Sequence, residues 1–400
     1  MLQGDVLPSG DKTSSRIPCD CTMKNKNSLL LVLASLTLPL TSPLAEEVKS
    51  SMHKLLEPLR VLQPYLADED RFTDSDNANT IEAQIQELRK DFHTIETIPT
   101  RYKSQPGFQE NIKNVAELLD DASRRFKEGR SEYAWWRLQR LPTDCFSCHA
   151  TYKVSSQISN AAVIDESLSP LDKARFLLAT RQFAEAKGTL IQALNDPAYR
   201  LYDDQILRSI LLVETRISKD PKASVALFKE LSETPGLPLD DKHTAQKWTR
   251  GLEAWAKAPA VPEAAKLSTG EKLITTGVTR GIDFQQDDVS LLRGTALVHE
   301  ALESGKISEP QRRKAIYLLG YAYNHLSQFF TEAWGELYLE KCIEEFPNTQ
   351  EAKWSYNIYS DKVMDDFTGS GGSSIPDEVK LHLEDLRKKA YGETDFSPKV

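Results

Sequence analysis

Residues 134–153 read AWWRLQRLPTDCFSCHATYK. Ala134, Leu138, Leu141, Cys145, Cys148 and Tyr152 recur at spacings of three and four, the period of one helix face. Pro142 interrupts the run and starts a fresh turn just before the cysteines. Residues 145–149 are Cys-Phe-Ser-Cys-His, and CxxCH is the attachment signature of c-type haem. Residues three and four apart share a helix face. Cys145 and Cys148 can therefore bond both vinyl groups from one side of a porphyrin, and His149 can present its imidazole to the iron as the proximal ligand. Zinc would want four ligands, yet the chain has no second CxxC and no HxxxH. A thioredoxin-like pair would sit in a βαβ pattern, whereas the surroundings here are helical. One covalent haem c is the expected cofactor.

Upstream, the same periodicity continues. Val48, Met52, Leu55, Leu56, Leu59 and Leu62 form one stripe; Ile81, Ile85, Leu88, Phe92 and Ile95 form a second, stopped by Pro99. Phe108, Ile112, Val115, Leu119, Ala122 and Phe126 form a third, between Pro106-Gly107 and Gly129. With the haem-motif segment these predict four amphipathic helices over residues 46–160, and short connections favour a four-helix bundle.

Four helices with CxxCH late in the last one resemble the class II c-type cytochromes, the cytochrome c′ type. The string from Cys145 to Lys153 is similar to that family's ending, where an aromatic and a basic residue follow the haem histidine; the resemblance thus places Tyr152 and Lys153 at the haem edge. It also implies that the first helix faces the far side of the haem, supplying a methionine ligand or an apolar residue that leaves the iron open. Met52 lies on the core stripe of that helix and is the candidate distal ligand. His53, about 100° round the helix, is the alternative, and core packing is the plain reading of Met52. Methionine ligation would raise the reduction potential and favour electron transfer, whereas an open site would suit a small gas. Tyr133, Trp135 and Trp136 read as core and interface packing, with contact to the haem edge as the sharper alternative.

Residues 165–395 carry no further CxxCH, no HExxH, no GxSxG and no phosphate-binding glycine loop. They read as paired amphipathic helices. Ala186, Leu190, Ala193 and the closing Pro197 resemble the second helix of a tetratricopeptide repeat. Leu319-Gly320 with Tyr323 resembles that repeat's first helix, and Gly335, Leu339, Cys342 and Pro347 its second, with a short insertion around Phe329–Ala333 in between. Such hairpins stack into a curved array that binds a protein or peptide; packing only on the haem unit is the alternative. Cys342 reads as an inert core thiol, and residues 367–375 as a flexible loop.

The remaining features bound the setting. Met23, Lys24 and Lys26 precede an uncharged run from Ser28 to Leu40, and small residues lead to Ala45. This is the pattern of a signal peptide, so residues 1–45 are expected to be an extension and leader, and the mature chain periplasmic. The run is too short to span a membrane comfortably. Three of five cysteines lie beyond Ala45, too few for a disulfide framework. Hydrophobic residues make up 40% and the net charge is −9, a globular balance that argues against a nucleic-acid partner. The expectation is an all-α monohaem cytochrome, not an enzyme, that moves one electron and docks to a redox partner protein through its repeats. A gas-binding sensor and a repeat scaffold with a structural haem remain the alternatives, and the oligomeric state is open.

Overall fold

The computed structural model describes residues 43–97, 105–152, 164–165, 167–279, 287–330, 333–369 and 372–392. The leader expected over residues 1–45 lies almost wholly outside them, as do Pro99 and Lys153. The described chain is all-α apart from one two-stranded ladder.

Helix α1 (Pro43–Leu66) continues through Pro58 and Pro64 and buries Leu55, Leu59, Leu62 and Leu66. A short α2 (Glu69–Thr73), capped by the Asp68 carboxylate, is not signalled by the apolar stripes. Helix α3 (Ala78–Thr97) buries all five residues of its stripe. Helix α4 (Phe108–Lys127) begins after Gly107, whose φ of 82° is left-handed. The fourth segment is two helices, α5 (Ser131–Leu138) and α6 (Leu141–Thr151), with Pro142 in the first turn of α6. A proline is tolerated there because that turn's N–H groups have no helical partner. Helix α1 packs on α3, α3 on α4, and α4 on both α5 and α6.

The rest is a succession of helical hairpins. Helices α7 (Pro170–Ala179) and α8 (Phe183–Asn195) pack together. Helix α9 (Asp203–Leu212) runs into a π-helical turn, Val213–Ser218. Then come α10 (Pro221–Ser232) with α11 (Leu239–Lys257), α12 (Lys266–Thr279) with α13 (Asp288–Glu303), and α14 (Glu309–Asn324) with α15 (Ala333–Glu345). Helices α16 (Gln350–Asp366) and α17 (Asp377–Tyr391) close the chain. Side-chain caps explain several starts: Ser169, Asp220 and Thr349 each accept a backbone N–H of the first turn, and Ser308 with Gln311 forms a capping box. At Gly320 an added Cβ would lie 2.9 Å from the Leu339 backbone nitrogen, and at Gly335 2.8 Å from that of Asn324. The small residues of α14 and α15 are therefore where the two helices touch most closely.

Within 367–375, expected to be a flexible loop, the described residues include a short two-stranded ladder. Strands β1 (Thr368–Gly369) and β2 (Gly372–Ser373) pair antiparallel, with Thr368 opposite Ser373, and the Ser374 N–H donates to the Phe367 carbonyl at 3.0 Å.

Ser42–Val400 forms one compact unit. One continuous core runs from Leu55 on α1 to Phe346 after α15, and a smaller cluster joins α15, α16 and α17. The segment around residue 160, where sequence placed the domain boundary, lies in 153–163, outside the described residues. The two halves meet in a buried tyrosine pair. The Tyr152 and Tyr338 hydroxyls are 2.9 Å apart, and each lies within 2.9 Å of the Pro106 carbonyl. Lys341 of α15 reaches Glu110 of α4 at 2.5 Å, and the rings of Phe146 and Phe183 sit 6.2 Å apart. Among the described residues no helix is long and apolar enough to cross a membrane.

Candidate functional site

The haem-motif residues face a cleft of about 740 Å³ that opens to solvent. Helix α1 lines it with Met52, Leu55, Leu56 and Leu59, α3 with Phe92, and α4 with Asn111, Ile112 and Val115. Helix α6 contributes Asp144, Cys145, Cys148 and His149; α7 adds its last residue, Ala179, and the turn after it Thr180 and Arg181. Apolar walls with a few polar groups are the chemical make-up of small-molecule and cofactor sites.

The motif residues converge because α6 is helical through the whole motif. Cys145, Cys148 and His149 therefore project from adjacent positions on one face. Phe146 and Ser147, turned off that face, are buried. Both thiols are free.

The electrostatics of the site are those of an enclosed apolar wall. Burial pushes the Cys148 thiol up to about 12, against the pull of Arg181. Burial, then Asp144 and Cys148, raise Cys145. Both sulfurs are thus held neutral, which suits an uncharged thioether better than a thiolate. Burial, helped by Arg181, depresses His149 to about 3 although the Ala179 backbone works in the opposite direction. The imidazole is neutral and keeps a lone pair for a metal. Its Nδ1 is buried without a hydrogen-bond partner. Burial also raises Asp144, against the attraction of Arg140, whose Nε lies 3.3 Å away.

These residues fit a covalently held haem. Cys145 and Cys148 would carry it, His149 would ligate the iron, and the leucines of α1 would cover it. The described residues hold no group of three or more His, Cys, Asp or Glu placed to bind a bare metal ion.

Met52 is brought to the same cleft as the motif, partly buried. His53 is exposed and does not line it. Tyr152 points elsewhere, into the tyrosine pair and against Phe108 and Trp334, with ring centroids 5.4 and 6.0 Å away. Trp136 and Tyr133 are exposed, and the Trp135 indole donates to the Leu66 carbonyl at 3.1 Å; none of the three lines the cleft. The wall that sequence reading missed is the α7–α8 turn. Its one local sign is Arg181, a non-glycine residue at φ 65°, which no periodicity reveals. Cys342 is fully buried, with its thiol pushed up to about 12 by burial.

No protein-family model matches the chain, and neither a curated protein nor a solved structure matches it either.

Proposed function

We propose that Cys145, Cys148 and His149 hold one covalent haem c, and that the chain is an exported monohaem cytochrome that moves one electron. On this reading α1, α3, α4 and α5–α6 are a haem-binding four-helix bundle of the cytochrome c′ type. The hairpins from α7 onward are a tetratricopeptide-like array that docks it to a redox partner protein. The observation that carries the reading is the CxxCH motif on one helical face, opening into an apolar cleft walled by three other helices.

Bound there, the haem would supply a one-electron couple. The chain's own residues do the rest. Leu55, Leu56, Leu59 and Phe92 exclude water, burial keeps His149 neutral, and Met52 stands on the α1 wall as the candidate sixth ligand. A second reading, reversible binding of a small gas, is favoured by the three leucines that share this wall with Met52.

Residues 46–400 expressed with a haem-attachment system would settle both points. The pyridine haemochrome should give one haem per chain. Sharp low-spin bands unmoved by carbon monoxide support electron transfer; a broad spectrum that shifts with carbon monoxide supports gas binding. A chain with no covalent haem refutes the proposal and leaves a helical-repeat binding protein.

A further inference from the structure

A second cavity, of about 830 Å³ and open to solvent, shares His149 and Arg181 with the cleft and is also lined by Tyr152, Arg216, His299 and Glu300 among others. Its unusual member is Arg216. This side chain is only 6% exposed, and no described carboxylate pairs with it. Its polar contacts are neutral: Thr295 Oγ1 at 2.5 Å and the Tyr323 hydroxyl at 3.5 Å. The Phe330 ring lies 5.5 Å from the guanidinium. Its Nε is buried with no partner, and so is Nδ1 of the neighbouring His299. Two carboxylates also line the cavity: Glu300, already engaged by Lys219 at 2.6 Å and Lys266 at 3.1 Å, and the exposed Glu303.

Burying a cation without a counter-charge is costly, and an arriving anion would offset that cost. The backbone points the same way. Arg216 belongs to the π-helical turn Val213–Ser218, which packs against α6 and α13. π-Helical turns cost regular hydrogen bonding and concentrate at functional sites. A guanidinium offers a planar fork that matches a carboxylate, and Arg181 adds a second positive charge to the same cavity.

We propose that this cavity is a carboxylate-binding site in which Arg216, with His299 and Arg181 beside it, receives the anion. The carboxylate comes from one of two sources: a small free carboxylate, or a propionate of the haem. Only the second source rests on the haem reading above.

The test is the unfolding midpoint of the full chain in acetate against acetamide, at constant ionic strength. It is run on the haem-loaded chain and on C145A/C148A, each with and without Arg216→Met. The wild-type chain made without haem serves if the double variant does not fold. A free-carboxylate site gives a saturable rise with acetate alone in the loaded chain, and Arg216→Met weakens the response at least about tenfold. A propionate in the site makes acetate inert on the loaded chain and stabilising on the haem-free one, again through Arg216. Arg216→Lys, which keeps the charge and loses the fork, should retain part of the response and replaces the methionine variant if that fails to fold. An acetate effect that is absent in both forms, or unchanged by Arg216 substitution, overturns the proposal. Absence of haem in the wild type would instead overturn the cytochrome reading, and the acetate titration would still decide this one.

Discussion

Gly107→Ala should be far more damaging than its size suggests. The residue sits at φ 82°, where an L side chain is strained, at about 1–2 kcal/mol. An added Cβ would also lie 2.7 Å from the Tyr338 hydroxyl and 2.9 Å from that of Tyr152. The methyl must push at least one hydroxyl away from the Pro106 carbonyl. A buried polar group left unsatisfied costs about 1–3 kcal/mol, so the expected total is about 2–5 kcal/mol. Gly129 provides the control. Its φ is 77° and nothing lies within 4 Å of its added Cβ, so Gly129→Ala should cost only the backbone strain, about 1 kcal/mol after the unfolded chain's lost freedom is counted. Urea unfolding followed by circular dichroism reads both as shifts of midpoint at constant slope. In a Tyr338→Phe background the Gly107 penalty should shrink only in part, since one displaced hydroxyl is gone but the ring carbon Cζ, 2.8 Å from the added Cβ, remains. Equal penalties at the two glycines would refute the reasoning, because the tyrosine pair would then contribute nothing.

Trp248→Phe should destabilise the chain by about 1–3 kcal/mol, because the buried indole N–H donates to Asp288 Oδ2 at 2.7 Å; chemical denaturation measures it, and a neutral result would mean that Asp288 re-pairs. His299 is fully buried, and its pKa is held well below the ordinary 6.5 by burial and by Arg216. The unfolded chain takes up a proton near 6.5 that the folded chain refuses, so this stability is complete above 6.5 and lost as pH falls below it, by about 1.4 kcal/mol per unit. Unfolding midpoints measured at several pH values in wild type and His299→Phe should diverge at the acid end; parallel profiles would contradict the assignment. In the haem-loaded chain Met52→Ala should convert a low-spin spectrum to one that binds carbon monoxide, and an unaltered spectrum would remove Met52 as a ligand.

The apolar stripes of α1, α3 and α4 were legible because helix burial has a period that a sequence displays directly. Pro142 was legible as a helix start for an equally local reason. Cys145, Cys148 and His149 were legible as a group because they are contiguous, and the helix over Leu141–Thr151 sets them on one wall of the cleft. What escaped was whatever depends on distant partners. Arg181 enters the cleft because a helical hairpin from the second half folds over α6, and no spacing within residues 46–160 encodes that. Arg216 looks like an ordinary surface arginine within Val-Glu-Thr-Arg-Ile-Ser; only the packing of α13 and α14 around it makes it buried. Tyr152 was legible as an aromatic three residues after the histidine, but its bonds to Pro106 and Tyr338 are set from 46 and 186 residues away.

The two-sided use of α6 bears on how any occupant of the cleft would be felt elsewhere. One face carries Cys145, Cys148 and His149 into the cleft. The other sends Phe146 against Phe183 of α8 and, just beyond its end, Tyr152 against Tyr338 of α15. Close-packed interiors transmit displacement rather than absorb it. A shift of α6 on loading would therefore reach the hairpins at two points far apart in sequence. An electron carrier needs little from this coupling, since its two redox states differ by one charge. A haem sensor or a haem-stabilised scaffold needs all of it. The comparison that separates them is the hydrogen exchange of α8 and α15 in loaded and unloaded chain. Protection that changes only in α1, α3, α4 and α6 would assign the cleft to electron transfer alone. Protection that spreads into α15 would make the hairpins a reporter of what the cleft holds.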